Sequence, residues 1–255
     1  MLILLSPAKI QNVSPQTDIS GFTQPEFIKE AESLVFLMRE MSPSELVTLM
    51  DINSKIAHQN TDRYYNWNLP FSPKNSKQAV LTYNGEVFHG LDAKSLSPSD
   101  IKYLQSHLRI LSGLYGVLRP LDLIQPYRLE VSSKLKTHKG TDLYAFWRES
   151  ITTSINQALT KSGEPKVLLN LASGEYFKAI DVKKLDAKVI DFEFLQSVED
   201  KYKVVVVYTK KARGMMTRYV VENKIETIED LKGFSSDGYW YNEEMSTERK
   251  MVFVR

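Results

Sequence analysis

The segment KKARGMMTRYVV, residues 210–221, spaces its cations in a way that suits phosphate binding. At about 100° per residue, Lys210, Lys211 and Arg218 share one helical face with Thr217, and Gly214 lies in its middle. The opposite face is apolar and consists of Ala212, Met215, Met216, Tyr219 and Val220. A glycine inside a helix costs about 1 kcal/mol, so Gly214 needs a use. It could let a phosphate approach between the cations, or it could allow close packing beneath an ordinary solvated face.

A second group of candidate residues lies in RILSGLYGVLRPLDLIQPYR, residues 109–128. Here Arg119 and Arg128 lie near Tyr115 and Tyr127. Arginine can bind a phosphate through two nitrogens, and aromatic rings can stack on bases. Asp122 could instead pair with one of the arginines and brace the loop. The sequence leaves both alternatives open.

In NLASGEYFKAI, residues 170–180, an apolar strand ends and a helix begins. Ser173 suits the N-cap position, and Lys178 is close to the turn. The pattern is similar to the hairpin of helix-hairpin-helix DNA readers, which offers backbone N–H groups to a phosphate. An ordinary strand-to-helix turn is the alternative.

Several chemistries have no motif in this chain. There is no Walker phosphate loop, no G-x-G-x-x-G and no G-x-S-x-G. The chain has no cysteine, and its four histidines are scattered singly, so metal-ligand spacing is missing. We therefore expect no metal and no cofactor, and we assign no catalytic residue.

Apolar periodicity and turn residues predict the elements that position these groups. The predicted helices cover 25–40, a segment starting at Ser42, 52–66, 97–107, 141–161, 173–180, 210–224 and 227–232. The predicted strands cover 1–5, 79–83, 109–113, 167–171, 188–198, 203–208 and a closing antiparallel pair at 238–241 and 248–255. Residues 11–24 are predicted to form a loop. This order predicts one mixed α/β domain over residues 1–255.

The overall composition is that of a soluble protein. Lys and Arg number 33 against 31 Asp and Glu, so net charge gives no indication of nucleic-acid binding. No apolar run approaches the length of a membrane span, and the absence of cysteine fits a reducing compartment. We expect a cytoplasmic protein with no membrane partner. The oligomeric state is open, with a monomer as the default.

The chain resembles the YaaA family, which is associated with the peroxide stress response. The resemblance runs nearly end to end and rests on LLSPAK (4–9), YNGEVFHGLDA (83–93), RILSGLYGVLRPLDLIQPYRLE (109–130), LYAFWRESIT (143–152), NLASGEYFKAI (170–180) and KKARGMMTRYVV (210–221). It implies a cantaloupe-type fold, a mixed β-sheet surrounded by helices, with a helix-hairpin-helix-like element. It also implies binding of double-stranded DNA through a basic cleft, mainly at the backbone, and a link to limiting free iron.

Two functional hypotheses follow from the residues and the resemblance. The first is a DNA-binding protein of the peroxide stress response, with phosphate contacts from Lys9, Arg119, Arg128, Lys178, Lys210, Lys211, Arg213 and Arg218. The second is an enzyme acting on a nucleobase, nucleotide or nucleic acid, with a pocket formed by Ser6, Asn84, Ser112, Tyr115, Asp122, Asn170 and Glu175. Direct iron binding would need carboxylates, and the sequence marks none for that role.

Overall fold

The protein is described by a computed structural model at residues 1–14, 19–161, 163, 165–199 and 201–255. Its centre is a mixed sheet in the order β4-β3-β1-β6-β7-β10-β9, and β8 pairs with the far end of β7. The strands are β1 (Leu2–Leu5), β2 (Lys77–Gln78), β3 (Leu108–Ser112), β4 (Gly116–Leu118), β5 (Leu123–Ile124), β6 (Val167–Asn170), β7 (Lys188–Val198), β8 (Lys201–Lys203), β9 (Trp240–Tyr241) and β10 (Lys250–Val254). β2 and β5 form a separate antiparallel pair.

Helices accompany this sheet along the whole chain. They are α1 (Ile28–Arg39), α2 (Pro43–Met50), α3 (Ser54–Asn66), α4 (Ala79–Thr82), α5 (Glu86–Leu91), α6 (Pro98–His107), α7 (Leu143–Lys161), α8 (Gly174–Phe177) and α9 (Val206–Asn223). Short 3₁₀ turns occur at 93–95, 182–184, 229–233 and 236–238. The predicted fold class, a mixed α/β fold with a mixed sheet and surrounding helices, is confirmed.

The inner strands are parallel, and their sequences are nearly continuous apolar runs. β1 reads LILL, and all four side chains are fully buried. β6 and β10 follow the same pattern, with buried residues through most of their length. A strand covered by protein on both faces needs such a run rather than an alternating one. The sequence pattern therefore puts β1 and β6 in the middle of the core.

The order of the strands creates a switch point between β1 and β6. From β1 the chain runs to β3 on one side of β1, and it later returns to β6 on the other side. The connections leaving the carboxyl ends of β1 and β6 therefore diverge, and a crevice opens between them. In open α/β sheets ligands bind at such a crevice.

Most of the predicted elements are confirmed, including two helix starts read from Ser-Pro-Ser. Ser42 Oγ accepts from the Glu45 backbone N–H at the start of α2. The Glu45 carboxylate in turn accepts from the Ser42 backbone N–H, which completes the capping box. Ser97 caps α6 in the same position. The apolar stripe predicted for the helix at 141–161 is buried throughout α7. Residues 15–18 of the predicted 11–24 loop lie outside the described part of the chain.

Two predicted strands are wrong. Residues 79–82 form the short helix α4, because their backbone N–H groups bond to Asp122 and Pro120 rather than to a sheet. Residues 203–208 divide between the end of β8 and the start of α9. A short apolar run does not distinguish a strand from a helix, and the surroundings decide which one forms.

The central segment is more regular than the predicted stiff loop. β3 continues through a turn into β4, and the two strands form an antiparallel hairpin. Gly116 has a φ of +69°, and a Cβ there would lie 2.7 Å from the Trp147 ring. The turn therefore requires glycine for both its conformation and its packing.

Helix α9 crosses α5 at very short range. A Cβ on Gly214 would lie 1.8 Å from the carbonyl oxygen of Val87, and one on Gly90 would lie 2.1 Å from that of Lys211. The close-packing alternative for Gly214 is therefore the one that the structure supports. Thr217, predicted on the polar face, is fully buried for the same reason.

Candidate functional site

A cavity of about 440 Å³ opens at the switch point, and we call it the switch-point cavity. Ser6 follows β1 and Ser173 follows β6, and both line it. Glu130 lines it from the segment after β5, and Arg213 lines it from α9. Its volume falls within the range of pockets that hold small organic ligands. The site thus draws on four separate parts of the chain.

The two serines join the ends of the central strands. The Ser173 backbone N–H donates to Ser6 Oγ at 2.8 Å, and Ser6 Oγ donates to Ser173 Oγ at 3.2 Å. Ser173 Oγ also accepts from the Tyr176 backbone N–H and caps α8, as the sequence predicted. These bonds fix the positions of both hydroxyl groups on rigid elements.

Glu130 has one engaged oxygen and one free oxygen. Arg128 Nε donates to Glu130 Oε1 at 2.7 Å, and Lys9 Nζ lies 3.6 Å from the same oxygen. The Arg128 and Glu130 side chains are 16% and 13% exposed, so their pairing is mostly shielded from water. Glu130 Oε2 is buried and has no hydrogen-bond partner. The carboxylate therefore retains an acceptor within the site.

Arg213 is a cation without a counter-charge. Its Nε is buried and unpartnered, and no ion pair among the described residues includes its guanidinium. Burial lowers the pKa of Arg213 below its usual value. Lys210 lines the same cavity one turn earlier on α9, is exposed, and also has no carboxylate partner in the described part of the chain. Together they form an unneutralised basic edge of the cavity.

His89 and Asn84 stand together at the rim. His89 Nε2 lies 2.8 Å from Asn84 Oδ1, and Nδ1 lies 3.5 Å from Glu86 Oε1. Both His89 and Asn84 are exposed side chains that line the cavity. The ring is thus held between two oxygen acceptors, where it can donate to or accept from a ligand.

A buried tyrosine network lies behind the cavity wall. The Tyr127 hydroxyl, on the wall itself, bonds to Tyr83 Oη at 2.7 Å and to Ser112 Oγ at 2.6 Å. Burial raises the pKa of Tyr127 to about 12. Tyr115 Oη accepts from Trp67 Nε1 at 3.0 Å and is fully buried. Ser112 and Tyr115, both expected in the pocket, therefore support its wall rather than line it.

Arg119 and Asp122 form the brace that was one of the two sequence alternatives. Arg119 Nη2 lies 2.9 Å from Asp122 Oδ1, and the Arg119 backbone N–H donates to Oδ2 at 2.7 Å. Thr23 Oγ1 adds a third bond at 2.6 Å. Asp122 is 1% exposed, and burial raises its pKa against the opposing effect of these contacts. Neither residue lines the cavity.

Arg218 and Lys211 lie outside the cavity and line a separate depression between α5 and α9. Arg218 Nη1 donates to Ser95 Oγ at 2.7 Å, and Nη2 pairs with Glu222 at 2.7 Å. Lys211 lies 4.0 Å from Asp237. Both cations are thus matched by nearby carboxylates.

The remaining expected residues divide between the cavity and its surroundings. Asn170 bonds to Asp191 at 2.7 Å, outside the cavity, and the exposed Lys178 also lies outside it. Glu175 lines the cavity, although its Oε1 accepts from Ser132 Oγ at 2.7 Å. Of the fifteen expected site residues, those that the structure gathers in the switch-point cavity are Ser6, Lys9, Asn84, Arg128, Glu175, Lys210 and Arg213.

The lining residues that reasoning from the sequence missed include Glu130, Ser173 and His89. Glu130 ends the longest resemblance block and stands two residues after Arg128, a spacing that suggests pairing. Ser173 was read only as a helix cap, and it also faces the cavity. His89 was one of the single histidines, although Glu86 stands three residues earlier on α5 and Asn84 just before that helix, so both contacts are local.

Two further observations concern metals and membranes. Among the described residues, no three or more His, Cys, Asp or Glu side chains come together as metal ligands. Within the same part of the chain, no helix combines the length and apolar character needed to cross a bilayer.

Comparison with known proteins identifies the family. A family model described as "Peroxide stress protein YaaA" matches residues 1–245. The chain belongs to this YaaA family. It is 46% identical to UPF0246 proteins of Burkholderia mallei strain SAVP1 and Burkholderia pseudomallei strain K96243, and to one of Alteromonas mediterranea. Each alignment covers 100% of this chain and 98% of the relative.

In this YaaA family member, five of the six blocks that carried the resemblance meet at the switch-point cavity, and LYAFWRESIT (143–152) does not line it. LLSPAK supplies Ser6 and Lys9, and KKARGMMTRYVV supplies Lys210 and Arg213. The family description associates the chain with the peroxide stress response. The helix-hairpin-helix-like element stays a prediction, since residues 170–180 fold as the end of β6, a turn and the four-residue α8.

Proposed function

We propose that this YaaA family member binds DNA through backbone phosphates during peroxide stress, with Arg213, Lys210 and Lys9 as the main contacts. The observation that carries the proposal is the buried Nε of Arg213, which has no hydrogen-bond partner among the described residues, together with burial that lowers the pKa of this side chain. A buried charge without a partner is costly, and a phosphate would supply both the counter-charge and hydrogen-bond acceptors.

Exposure and pairing rank the candidate cations. Lys9 is 67% exposed, and its contact to Glu130 at 3.6 Å is long. Exposed pairs of this kind contribute little, so Lys9 can turn to a phosphate at small cost. Lys210 is exposed and needs no partner to be displaced. Arg119 and Arg218 would have to break short charged bonds first, so we assign them a structural role.

The proposed protection against iron is indirect. A protein that neutralises DNA phosphates releases the cations condensed around them. Fe²⁺ held near the phosphates would be displaced in the same way, and less hydroxyl radical would form beside the DNA. This route requires no iron site on the protein.

Fluorescence anisotropy with a labelled 20-base-pair duplex tests the proposal. The logarithm of the association constant should fall linearly with log salt, with a slope of roughly −0.9 per phosphate contacted. Arg213→Ala and Lys210→Ala should each remove about one phosphate contact, so each should make the slope less steep by roughly 0.9. Lys211→Ala is the matched control, because Lys211 is the same kind of cation on the same helix but lies outside the cavity. Absence of binding at about 50 mM salt, or an association constant that does not change with salt, would contradict the proposal.

Catalysis on a nucleobase, nucleotide or nucleic acid is the second candidate function. The observation that favours it is the lining of the cavity, which combines a carboxylate oxygen without a partner and two serine hydroxyls fixed by hydrogen bonds. Binding phosphates alone requires none of these groups. Such polar groups on a fixed frame are typical of sites that carry out chemistry.

A further inference from the structure

We propose that the switch-point cavity binds a nucleoside 5′-monophosphate, with the phosphate on Arg213 and the base directed to Glu130. The inference rests on the proposed function in one respect: both use Arg213 as a phosphate contact. It goes further because it assigns the interior of the cavity, which a DNA backbone passing its rim would leave empty.

Two unsatisfied atoms define the ligand. Among the described residues, the buried side-chain nitrogen and oxygen atoms without a hydrogen-bond partner are Arg213 Nε and Glu130 Oε2. Both residues line the same cavity. Buried polar atoms are nearly always paired in folded proteins, so two exceptions in one cavity call for a common explanation. A ligand that accepts from the arginine and donates to the glutamate would satisfy both.

The arginine end requires an anion. A water molecule could accept from Arg213 Nε, but it would leave the guanidinium without a counter-charge. Lys210, one turn away, adds a second positive charge at the same edge. A phosphate matches the planar arginine fork and accepts from several donors at once. The hydroxyl of Ser173 supplies a further donor in the same cavity, because the Ser6 hydroxyl already donates to it.

The glutamate end requires a hydrogen-bond donor. Arg128 and Lys9 both approach Glu130 Oε1, so they neutralise the carboxylate while leaving Oε2 unused. An amino group or ring N–H of a nucleobase is a neutral donor of the right kind. Inorganic phosphate has no such group to offer, and the bases of a duplex are already paired.

The wall between these ends is apolar. Pro7, Ala8, Val87 and Leu129 line it, and Ile10 at its edge is 66% exposed. A flat heterocycle would cover this surface and remove it from water. The cavity volume of about 440 Å³ is sufficient for a base, a ribose and one phosphate together.

Isothermal titration of the full-length protein with AMP, GMP, CMP and UMP tests the inference. At least one of them should bind at least tenfold more tightly than its nucleoside and than inorganic phosphate. Lys210→Ala changes an exposed residue and should weaken that nucleotide severalfold without changing the melting temperature of the free protein. Arg213→Ala should weaken it more than tenfold. Glu130→Gln, which replaces part of the acceptor with a donor, should alter the preference among bases.

Controls separate this inference from the proposed DNA binding. Lys178 lies outside the cavity, so Lys178→Ala should bind each nucleotide with the affinity of the unchanged protein. The inference is overturned if no nucleoside monophosphate binds more tightly than inorganic phosphate. It is also overturned if Lys210→Ala and Arg213→Ala bind the preferred nucleotide with unchanged affinity. It is also overturned if single-stranded oligonucleotides bind and mononucleotides do not. Anisotropy with the duplex, measured on the same protein preparations, tests DNA binding independently. Duplex binding without mononucleotide binding would reject only this inference. Mononucleotide binding without duplex binding would reject only the DNA proposal.

Discussion

Arg119 and Arg213 carry the same guanidinium group, yet their surroundings give them different roles. Arg119 meets the buried carboxylate of Asp122 and is saturated with protein contacts. Among the described residues, Arg213 meets no carboxylate and keeps a buried nitrogen without a partner. The sequence could name both as candidate phosphate ligands, but it could not separate them. Asp122 stands three residues from Arg119, so the sequence could offer that pair as an alternative, whereas the surroundings of Arg213 depend on which distant segments the fold brings to α9.

The brace gives a prediction about stability. Asp122→Ala should lower the free energy of unfolding by roughly 2–4 kcal/mol, because it leaves the Arg119 backbone N–H and the Thr23 hydroxyl without their acceptor. Arg119 is 39% exposed and can turn to water, which favours the lower half of that range. Urea denaturation followed by circular dichroism measures the change.

The control for this prediction is an exposed ion pair. Glu193→Gln breaks the ion pair with Lys250. The Glu193 side chain is 37% exposed and the Lys250 side chain is 45% exposed. Its effect should stay below about 1 kcal/mol. If Asp122→Ala proved as mild as Glu193→Gln, the brace would not be a stabilising element.

Among the secondary-structure elements, predictions succeeded where a capping pattern or a long periodicity was present. Ser42 with Glu45 marks the start of α2, and the long apolar stripe of α7 leaves one choice of buried face. They failed at 79–83 and 203–208, which are short and rich in β-branched or apolar residues. Val206 and Val207 favour a strand locally, yet they are the exposed first turn of α9. Helix α9 continues there because its later turns pack on α5, and tertiary contacts outweigh weak β-propensity.

The crossing of α5 and α9 gives a second prediction. Gly214→Ala should destabilise the protein by about 2 kcal/mol or more, although alanine favours a helix by about 1 kcal/mol. The new Cβ would meet the backbone carbonyl of Val87 at 1.8 Å, and a backbone atom cannot turn aside as a side chain can. The two helices would have to separate, and thermal unfolding should record a lower melting temperature.

Gly174→Ala is the matched control for the crossing. A Cβ at Gly174 meets no heavy atom within 4 Å, and this glycine begins α8. Its melting temperature should be unchanged or slightly higher. Equal effects of the two substitutions would mean that the close approach at Gly214 does not limit stability.

Across the whole molecule, the sequence indicated the fold class but not the location of the site. Apolar runs such as LILL and VLLN predicted buried strands, and their alternation with helices predicted a mixed sheet. The neighbour of each strand depends on connections that no local pattern encodes. The switch point between β1 and β6, and with it the meeting of Ser6, Glu130 and Arg213, therefore became visible only in the structure.

Strand β10 belongs to the main sheet and lies next to its edge strand β9. It lies beyond residues 1–245, which the family model matches, yet it pairs in parallel with β7 over five residues and stands between β7 and β9. Met251, Val252, Phe253 and Val254 are all buried. Removing four buried apolar side chains forfeits roughly 6–12 kcal/mol of burial, which is comparable to the total stability of an ordinary domain.

We therefore expect a chain that ends at Met245 to lose cooperative unfolding, because β7 would keep its parallel neighbour β6 but lose the one on its other side, and the core would open there. Circular dichroism during heating measures this directly. Phe253→Leu is the companion variant: it keeps the strand and most of the apolar volume, so it should unfold cooperatively and lose only about 1 kcal/mol. A shortened chain that melted at the same temperature as the full one would mean that the sheet is held together without β10, and that the region matched by the family model suffices for the fold.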